Sequence, residues 1–360
     1  MHASPDALAG AEAALVAAPR TWLVTGAAGF IGSHLTERLV GLGQAVVALD
    51  DFSTGHRANL TTAEAAGRSA AHAAGRTPGT LRIVEGDIRD AAACADACAG
   101  ADVVLHQAAL GSVPRSIADP WATHTVNVDG FLQVLLAARD AGVPRVVYAS
   151  SSSVYGDDPT LPKVEGRVGT PLSPYAVTKK ADELYADTFA RHYSMAVVGL
   201  RYFNVFGPRQ DPAGAYAAVM PRWIDALLDG RDCTLYGDGS TSRDFCYVAN
   251  VVQANLLAAT CPAAAAAGVY NVAVGDRTTL VQLHDAIREA LAAAEPGLAE
   301  GPGGLRPPVF APERPGDIRH SLADVARARE ALGYRPTHTV REGLAESIRW
   351  YVADARAATL

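Results

Sequence analysis

Residues 21–32 read T-W-L-V-T-G-A-A-G-F-I-G, an apolar run followed by glycines at positions 26, 29 and 32 and then a helical pattern. Gly26 permits a tight turn, Gly29 lets the backbone approach a pyrophosphate, and Gly32 lets the helix pack on the sheet. Phe30 and Ile31 lie in the first helical turn, whose free N–H groups favour phosphate. The stretch predicts a strand–turn–helix unit that binds a dinucleotide.

Two aspartates end the next apolar run, at Asp50 and Asp51. A carboxylate here can accept hydrogen bonds from the adenosine ribose and would repel a 2′-phosphate, which favours NAD over NADP. His56 and Arg57 lie nearby and oppose this preference. Asp87 in G-D-I-R follows the third apolar run and could accept from the adenine amino group. The alternative for Asp87 is a surface N-cap, which spacing alone leaves open.

Strand and helix patterns alternate through the first half of the chain. Apolar runs predict buried strands at 21–25, 45–49, 81–84, 103–106 and 146–149, with helices at 31–42, 91–99 and 120–141 between them. We therefore predict an α/β fold, a Rossmann-type doubly wound parallel sheet, in an NAD-binding domain over 21–200. Gly- and Pro-rich loops after residue 200 predict a smaller α/β substrate-binding domain over 201–355.

Composition excludes several protein classes. The 360 residues are 49% hydrophobic and 19% charged with a net charge of −7, which argues against nucleic-acid and membrane-surface binding. Residues 1–20 lack a basic segment before the apolar stretch, so we expect a disordered extension rather than a secretory signal. The five cysteines lack metal-ligand spacing, which predicts free thiols, a cytoplasmic protein and no metal.

Tyr175 and Lys179 stand four residues apart in S-P-Y-A-V-T-K, on one face of a predicted helix. A tyrosine is a poor base at neutral pH, with a reference pKa of about 10, but an ammonium one turn away favours the phenolate. A serine from the run 150–153 could complete a proton relay. Many helices carry this spacing without a function, so the pair gains meaning only beside the predicted cofactor site.

Several ordered motifs resemble the extended short-chain dehydrogenase/reductase family and, within it, NAD-dependent nucleotide-sugar 4-epimerases. They are T-G-A-A-G-F-I-G-S-H-L, G-D-I-R-D, H-Q-A-A, S-S-S-V-Y-G, S-P-Y-A-V-T-K, R-Y-F-N-V-F-G-P-R-Q and S-R-D-F-C-Y-V. The likeness to bacterial UDP-N-acetylglucosamine 4-epimerases rests on L-G-S-V-P-R-S, Q-D-P-A-G-A-Y-A-A and N-V-A-V-G-D-R-T-T-L. The resemblance covers about residues 21 to 351.

The resemblance implies roles at matching positions. Tyr175 would be the catalytic base and acid, Lys179 would bind the nicotinamide ribose, and Ser151 would hydrogen-bond the sugar 4-hydroxyl, with Ser152 and Ser153 as helpers. Further NAD contacts would come from Ile88, Gln107, Ala108, Ala109, Asn127 and Phe203. The UDP-sugar would be held by Asn204, Tyr236, Arg243, Arg314 and Asp317.

Six positions would wall the hexose pocket: Gly111, Ser112, Asn204, Gln210, Ala218 and Ser321. In the 4-epimerases that the chain resembles, a tyrosine at the last position closes the pocket to a 2-acetamido group, whereas a small residue admits that group. Ser321 therefore predicts reversible C4 epimerisation of UDP-GlcNAc and UDP-GalNAc. The spacing in S-L-A-D leaves a second role open for Ser321, as the N-cap of a helix. UDP-glucose and UDP-glucuronate 4-epimerases remain alternative functions.

Two further expectations follow from the resemblance. A homodimer would pack through two long helices, 120–141 and 174–193. A 4,6-dehydratase would need an acidic residue beside the serine run, whereas Asp157 comes later.

Overall fold

The computed structural model describes residues 7–213, 217–300, 305–313 and 319–359. A seven-stranded parallel sheet with helices on its faces forms the main body, in the order β11-β6-β5-β4-β1-β2-β3. Its strands are β1 (Thr21–Thr25), β2 (Ala45–Asp50), β3 (Thr80–Glu85), β4 (Val103–His106), β5 (Arg145–Ser151), β6 (Ala196–Tyr202) and β11 (Gly268–Val272). The order reverses beside β1, which opens a crevice at the carboxyl ends of β1 and β4. The predicted fold class is confirmed.

Fourteen α-helices lie in the described part of the chain. In sequence order they are α1 (Ala7–Ala17), α2 (Phe30–Gly41), α3 (Arg57–Ala73), α4 (Ala91–Cys98), α5 (Val113–Ala118), α6 (Pro120–His124), α7 (Gly130–Asp140), α8 (Pro174–His192), α9 (Val219–Leu228), α10 (Val248–Thr260), α11 (Leu280–Ala294), α12 (Pro296–Glu300), α13 (Ala326–Leu332) and α14 (Val340–Thr359). None of these helices is long and apolar enough to cross a membrane.

The second half of the chain adds short two-stranded sheets above the crevice. Their strands are β7 (Val205–Phe206), β8 (Thr234–Tyr236), β9 (Ser242–Arg243), β10 (Cys246–Tyr247), β12 (Thr278–Thr279) and β13 (Val309–Ala311). They pair as β10-β7, β12-β9 and β13-β8. A separate apolar core formed by α9, α11 and α14 supports this layer. The smaller unit therefore sits on its own core.

Three sequence expectations about the elements are wrong. Residues 7–17 form a helix, and its Leu15 is buried in the main core beside α10. Strand β3 is not buried, because it lies at the sheet edge, and Ile83 on it is 46% exposed. The predicted helix 120–141 is broken by a π-helical turn at Thr125–Asp129. Positions 1–6 of the predicted extension lie outside the described residues.

Candidate active site

A cavity of about 350 Å³ opens at the carboxyl ends of β1, β2 and β4. Twelve of the sixteen predicted cofactor residues line it: Gly26, Gly29, Phe30, Ile31, Gly32, Asp50, Asp51, Asp87, Ile88, Gln107, Ala108 and Ala109. Gly111 of the predicted hexose pocket also lies in its wall. The structure therefore brings most of the predicted NAD contacts to one crevice at the switch point of the sheet.

The glycine turn at this cavity leaves no room for side chains. Gly26 has φ +63°, and a Cβ built there would lie 2.7 Å from the Ala108 Cα. A Cβ on Gly32 would lie 2.1 Å from the Gly26 carbonyl oxygen. Gly29 is the N-cap of α2 and provides no side-chain cap, so the first N–H groups of that helix stay available. This cradle fits a pyrophosphate held by backbone donors.

Asp50 is fixed by the backbone at the cavity floor. Its Oδ2 accepts from the Ala28 N–H and its Oδ1 from the Phe52 N–H, both at 2.8 Å. Burial raises the pKa of Asp50, and these two hydrogen bonds act in the opposite direction. Each carboxylate oxygen still has a lone pair for a hydroxyl donor. Asp51 instead accepts from the backbone N–H and hydroxyl of Ser53.

Asp87 lines the cavity but is paired with Arg89, whose guanidinium lies 2.5 Å from its Oδ2. The hydrogen bonds from Arg89 hold the pKa of Asp87 below its ordinary value. The alternative reading of Asp87 as an N-cap is wrong. Helix α4 is capped by Asp90, which accepts from the Ala92 N–H at 2.8 Å.

Asn127 and Phe203 stand behind the cavity rather than in its lining. Asn127 is fully buried and clamps Leu110, with its Oδ1 accepting from the Leu110 N–H at 2.8 Å and its Nδ2 donating to Thr178 at 3.0 Å. Phe203 is fully buried against the Tyr155 ring at 5.9 Å. Both residues therefore support the crevice from inside the fold.

The catalytic candidates lie on α8 and on the turn after β5. Ser173 caps α8 by accepting from the Ala176 N–H at 3.2 Å, which sets Tyr175 and Lys179 in the first two turns. Tyr175 is half-buried, and the Lys179 side chain is 2% exposed. Helix α8 packs against the 3₁₀ turn Ser152–Tyr155. The fold therefore places the Tyr–Lys pair beside the serine run.

The four serines of this run have different surroundings. Ser150 is buried and donates to Glu183 at 2.8 Å, so it belongs to the interior. Ser151 is half-buried and its Oγ accepts from the Ser153 N–H at 3.1 Å. The Ser153 hydroxyl is buried and has no partner among the described residues. Ser151 is thus the half-buried serine whose hydroxyl is oriented by the turn.

A buried ion pair anchors α8 to the sheet. Arg201 on β6 donates to Glu183 at 2.7 and 2.9 Å. Burial would raise the pKa of Glu183, but the hydrogen bonds from Arg201 and Ser150 outweigh it, and the pKa lies below its ordinary value. Arg201 also stacks over the Tyr155 ring at 4.8 Å. This pair fixes the helix that carries Tyr175 relative to the serine turn.

A second cavity of about 350 Å³ lies in the smaller unit, beside α9. The predicted substrate residues Asn204, Tyr236 and Arg243 line it together. Sequence reasoning missed the other members of its wall, among them Val219, Arg222, Trp223 and Phe245. The amphipathic pattern of α9 was the signal for the first three, and that pattern does not show which residues face a ligand. Phe245 follows Arg243 in the S-R-D-F-C-Y-V motif.

Arg243 and Ser321 become neighbours through backbone pairing. The Ser242 N–H donates to the Arg319 carbonyl at 2.9 Å, and the Ser321 N–H donates to the Ser242 carbonyl at 3.0 Å. Arg243 Nη1 donates to the Arg319 carbonyl at 3.2 Å. Ser321 does not cap a helix, because α13 begins at Ala326. Predicted residues Arg314 and Asp317 lie outside the described part of the chain.

Backbone strain occurs at two of the remaining hexose-pocket positions. Ser112 has φ +92° and Asn204 has φ +32°, a region that non-glycine residues rarely occupy. Asn204 donates to the Asp244 carbonyl at 3.3 Å, and Gln210 donates to the Val205 carbonyl at 3.2 Å. Ala218 is exposed just before α9. Such strain, held by surrounding hydrogen bonds, is typical of ligand-binding segments.

The described residues contain neither a disulfide nor a cluster of metal-ligating side chains. All five cysteines are free and buried. No group of three or more His, Cys, Asp or Glu side chains in the described ranges could hold a metal ion.

The chain is similar to known sugar-nucleotide enzymes over nearly its whole length. It is 40% identical to a UDP-glucose 4-epimerase of Mycolicibacterium smegmatis, over 91% of this chain and 97% of the relative. A UDP-N-acetylglucosamine 4-epimerase from Methanobrevibacter ruminantium, solved with UDP-N-acetylmuramic acid, is 36% identical with TM-score 0.81, over 93% and 99% of the two chains. The UDP-glucose 4-epimerase of Thermus thermophilus, solved with NAD, is 33% identical with TM-score 0.76, over 92% and 99%.

Residues 22–273 match the model of the NAD dependent epimerase/dehydratase family. This match includes the glycine turn, the serine run and the Tyr175–Lys179 pair, whose geometry is described above. The chain belongs to the NAD-dependent epimerase/dehydratase family.

Proposed function

We propose that the protein is a UDP-sugar 4-epimerase that interconverts UDP-GlcNAc and UDP-GalNAc. The observation that carries the choice of sugar is Ser321, a small half-buried residue held on the segment beside Arg243. The epimerase step itself is supported by the packing of α8 on the serine turn and by the matching relatives.

Tyr175 takes the proton from the sugar O4 while Ser151 orients that hydroxyl. When bound in the cavity at the glycine turn, NAD would supply the redox chemistry for the C4 hydride, so that the sugar passes through a 4-keto form. Tyr175 then gives the proton back to O4, so the reaction is redox-neutral overall. Lys179 holds the nicotinamide ribose and favours the phenolate through its charge.

The nucleotide anchors the sugar while its ring turns over. Arg243 offers a fork of donors suited to diphosphate oxygens, and Tyr236 offers a ring face to the base. Binding energy from the UDP, which is remote from C4, retains the keto-sugar. Escape of that intermediate would leave the enzyme with reduced cofactor.

A panel of UDP-sugars with resolved products tests the proposal. We expect a higher kcat/KM for UDP-GlcNAc and UDP-GalNAc than for UDP-glucose and UDP-galactose. Ser321→Tyr should abolish turnover of the acetylated sugars and spare the plain ones. Ser321→Ala, which stays small, is the matched control and should behave like the wild type. A wild-type preference for UDP-glucose would overturn the choice of sugar.

UDP-glucose 4-epimerisation is the second candidate, favoured by the 40% identity to the Mycolicibacterium smegmatis enzyme. It would use the same Tyr175, Lys179 and Ser151, so only the substrate panel separates the two. UDP-glucuronate belongs in the same panel. A dehydratase is disfavoured because Asp157 accepts from the Thr170 N–H at 2.7 Å and stands after the serine turn.

A homodimer through α5, α6 and α8 is part of the proposal. These helices expose large apolar side chains, with Trp121 75%, Ile117 64% and Leu184 61% exposed. An apolar surface of this kind is typical of a protein interface. Light scattering should give twice the chain mass, and Leu184→Asp should reduce it; a monomeric wild type would contradict the interface.

A further inference from the structure

Asp182 lies one helical turn after Lys179 and is almost completely buried. Its Oδ2 accepts a hydrogen bond from Lys179 Nζ at 3.2 Å, and the two side chains are 1% and 2% exposed. The ammonium of the predicted catalytic lysine therefore has a carboxylate partner within the same helix. The mechanism described above gives this carboxylate no task.

Asp182 differs from the adjacent carboxylate, Glu183. Glu183 accepts two hydrogen bonds from Arg201, one from Ser150 and one from Lys180. Asp182 has Lys179 alone, and its Oδ1 has no partner among the described residues. Burial raises the pKa of Asp182 to about 6, although Lys179 opposes the rise. The negative charge of Asp182 therefore acts mainly on Lys179, whereas the charge of Glu183 is shared among several donors.

The other titratable groups around this pair do not compete for Lys179. His106 on β4 is fully buried, and burial together with the Lys179 charge lowers its pKa to about 3, so it is neutral. Tyr148 on β5 is fully buried, and burial together with Glu183 and Asp182 raises its pKa, so it is also neutral. Glu183 is paired with Arg201. Tyr175, one turn before Lys179, is the remaining group.

We propose that Asp182 is a positioning residue that holds the Lys179 ammonium and sets how strongly its charge favours the Tyr175 phenolate. An ammonium has three donors, so one bond to Asp182 leaves two for the cofactor ribose side. An ionised Asp182 offsets part of the lysine charge. Tyr175 must both take and return a proton, and a phenolate that the lysine charge stabilises too strongly would be too weak a base to take it efficiently. Asp182 thus limits how strongly the Lys179 charge favours the phenolate.

The first test is the pH dependence of kcat/KM, and this arm rests on the proposed function. Asp182→Asn keeps an acceptor for Lys179 but removes the negative charge, which favours the phenolate. The acidic limb should move to lower pH by on the order of one unit, with KM unchanged. Asp187→Asn, an exposed carboxylate of the same helix, is the control. An acidic limb that coincides with that of the wild type overturns the proposal, even if the rate falls.

The second test needs no substrate. At pH 8, Asp182→Asn should lower the melting temperature of the wild type, because a buried ammonium loses its counter-ion. On a Lys179→Met background the same change should raise the melting temperature, because it removes an unpaired buried carboxylate. Equal effects on the two backgrounds would overturn the pairing. If Asp182→Asn does not fold by circular dichroism, Asp182→Ser replaces it with the same expected signs.

The two tests fail in different ways. If no UDP-sugar is turned over by the wild type, the proposed function fails while the sign reversal in stability still tests Asp182. If the wild type is active and the reversal is absent, the function stands and the role of Asp182 is wrong.

Discussion

The cofactor cavity and the cavity beside α9, which we propose holds the UDP and call the nucleotide cavity, are built in different ways. The first is formed by backbone at the ends of parallel strands, with glycines where side chains would collide. The second depends on polar side chains that bind the backbone of distant loops. Asp244, for example, is fully buried and accepts from the N–H groups of Val274, Gly275 and Ala323 at 3.0 to 3.2 Å.

The two cavities should therefore tolerate substitutions differently. A backbone-built site fails when a Cβ is added, because main chain cannot move aside in a packed interior. A site positioned by side-chain hydrogen bonds can lose one bond and keep its fold. We therefore expect changes in the cofactor cavity to affect folding and NAD together, and changes in the nucleotide cavity to affect substrate first.

The largest effect should come from Gly32→Ala. Its Cβ would lie 2.1 Å from the Gly26 carbonyl oxygen, so the turn must open. We expect loss of NAD binding and a lowered melting temperature without cofactor. Gly29→Ala is the matched control in the same motif, since its Cβ would meet only the Gly26 oxygen at 3.2 Å. It should keep the melting temperature. Equal destabilisation by the two changes would contradict a backbone-built turn.

Arg243→Ala should have the next largest effect, confined to substrate. Loss of a guanidinium from a diphosphate costs about 2–3 kcal/mol, or roughly 30- to 150-fold in kcat/KM. Cofactor content and melting temperature should stay near wild type. Arg68→Ala, a surface arginine of α3 paired with Glu64, is the control. A loss of NAD in the Arg243 variant would show that the two cavities are not separable.

Asp244→Asn should weaken both the fold and substrate binding, with a smaller effect on the substrate than Arg243→Ala. An amide offers one acceptor oxygen where the carboxylate offers two, so one or two of the three N–H groups lose their partner. We expect the free energy of unfolding to fall by about 2 kcal/mol in urea titrations, and KM to rise as the Ser321 segment loosens. Asp276→Asn at the exposed surface is the control. A lowered stability with an unchanged KM would show that Asp244 does not support the substrate pocket.

The last effect, which is absent at neutral pH, is a pH dependence of stability in the cofactor half. Burial lowers the pKa of His106 and of His34 to about 3. Because the folded pKa lies below the unfolded one, their stabilising contribution is complete above about pH 6.5 and is lost as pH falls towards 3. Each should remove about 2 kcal/mol of stability between pH 6.5 and 5. His106→Gln should reduce the slope, and the exposed His192→Gln should not.

Sequence patterns predicted the cofactor half closely because its signals are local. Strands β1 and β4 begin and end where the apolar runs do, and Gly26, Gly29 and Gly32 occupy the predicted turn. The exposure of β3 was missed, because an apolar run does not show whether a strand lies at a sheet edge. The helix at residues 7–17 was missed because its burial depends on α10, over two hundred residues later.

Local residue patterns specify the α/β sheet, the glycine turn and the Tyr175–Lys179 spacing. Each of these follows from residues a few positions apart, whose geometry a strand or helix repeats. Tertiary contacts are what pair the backbone of Ser242, next to Arg243, with the Ser321 segment. They also make Ser150 structural, orient Ser151 by its turn and leave Asp182 facing Lys179 alone. Packing and burial determine which groups a polar side chain contacts. Because those groups lie far apart in the chain, local patterns do not identify them.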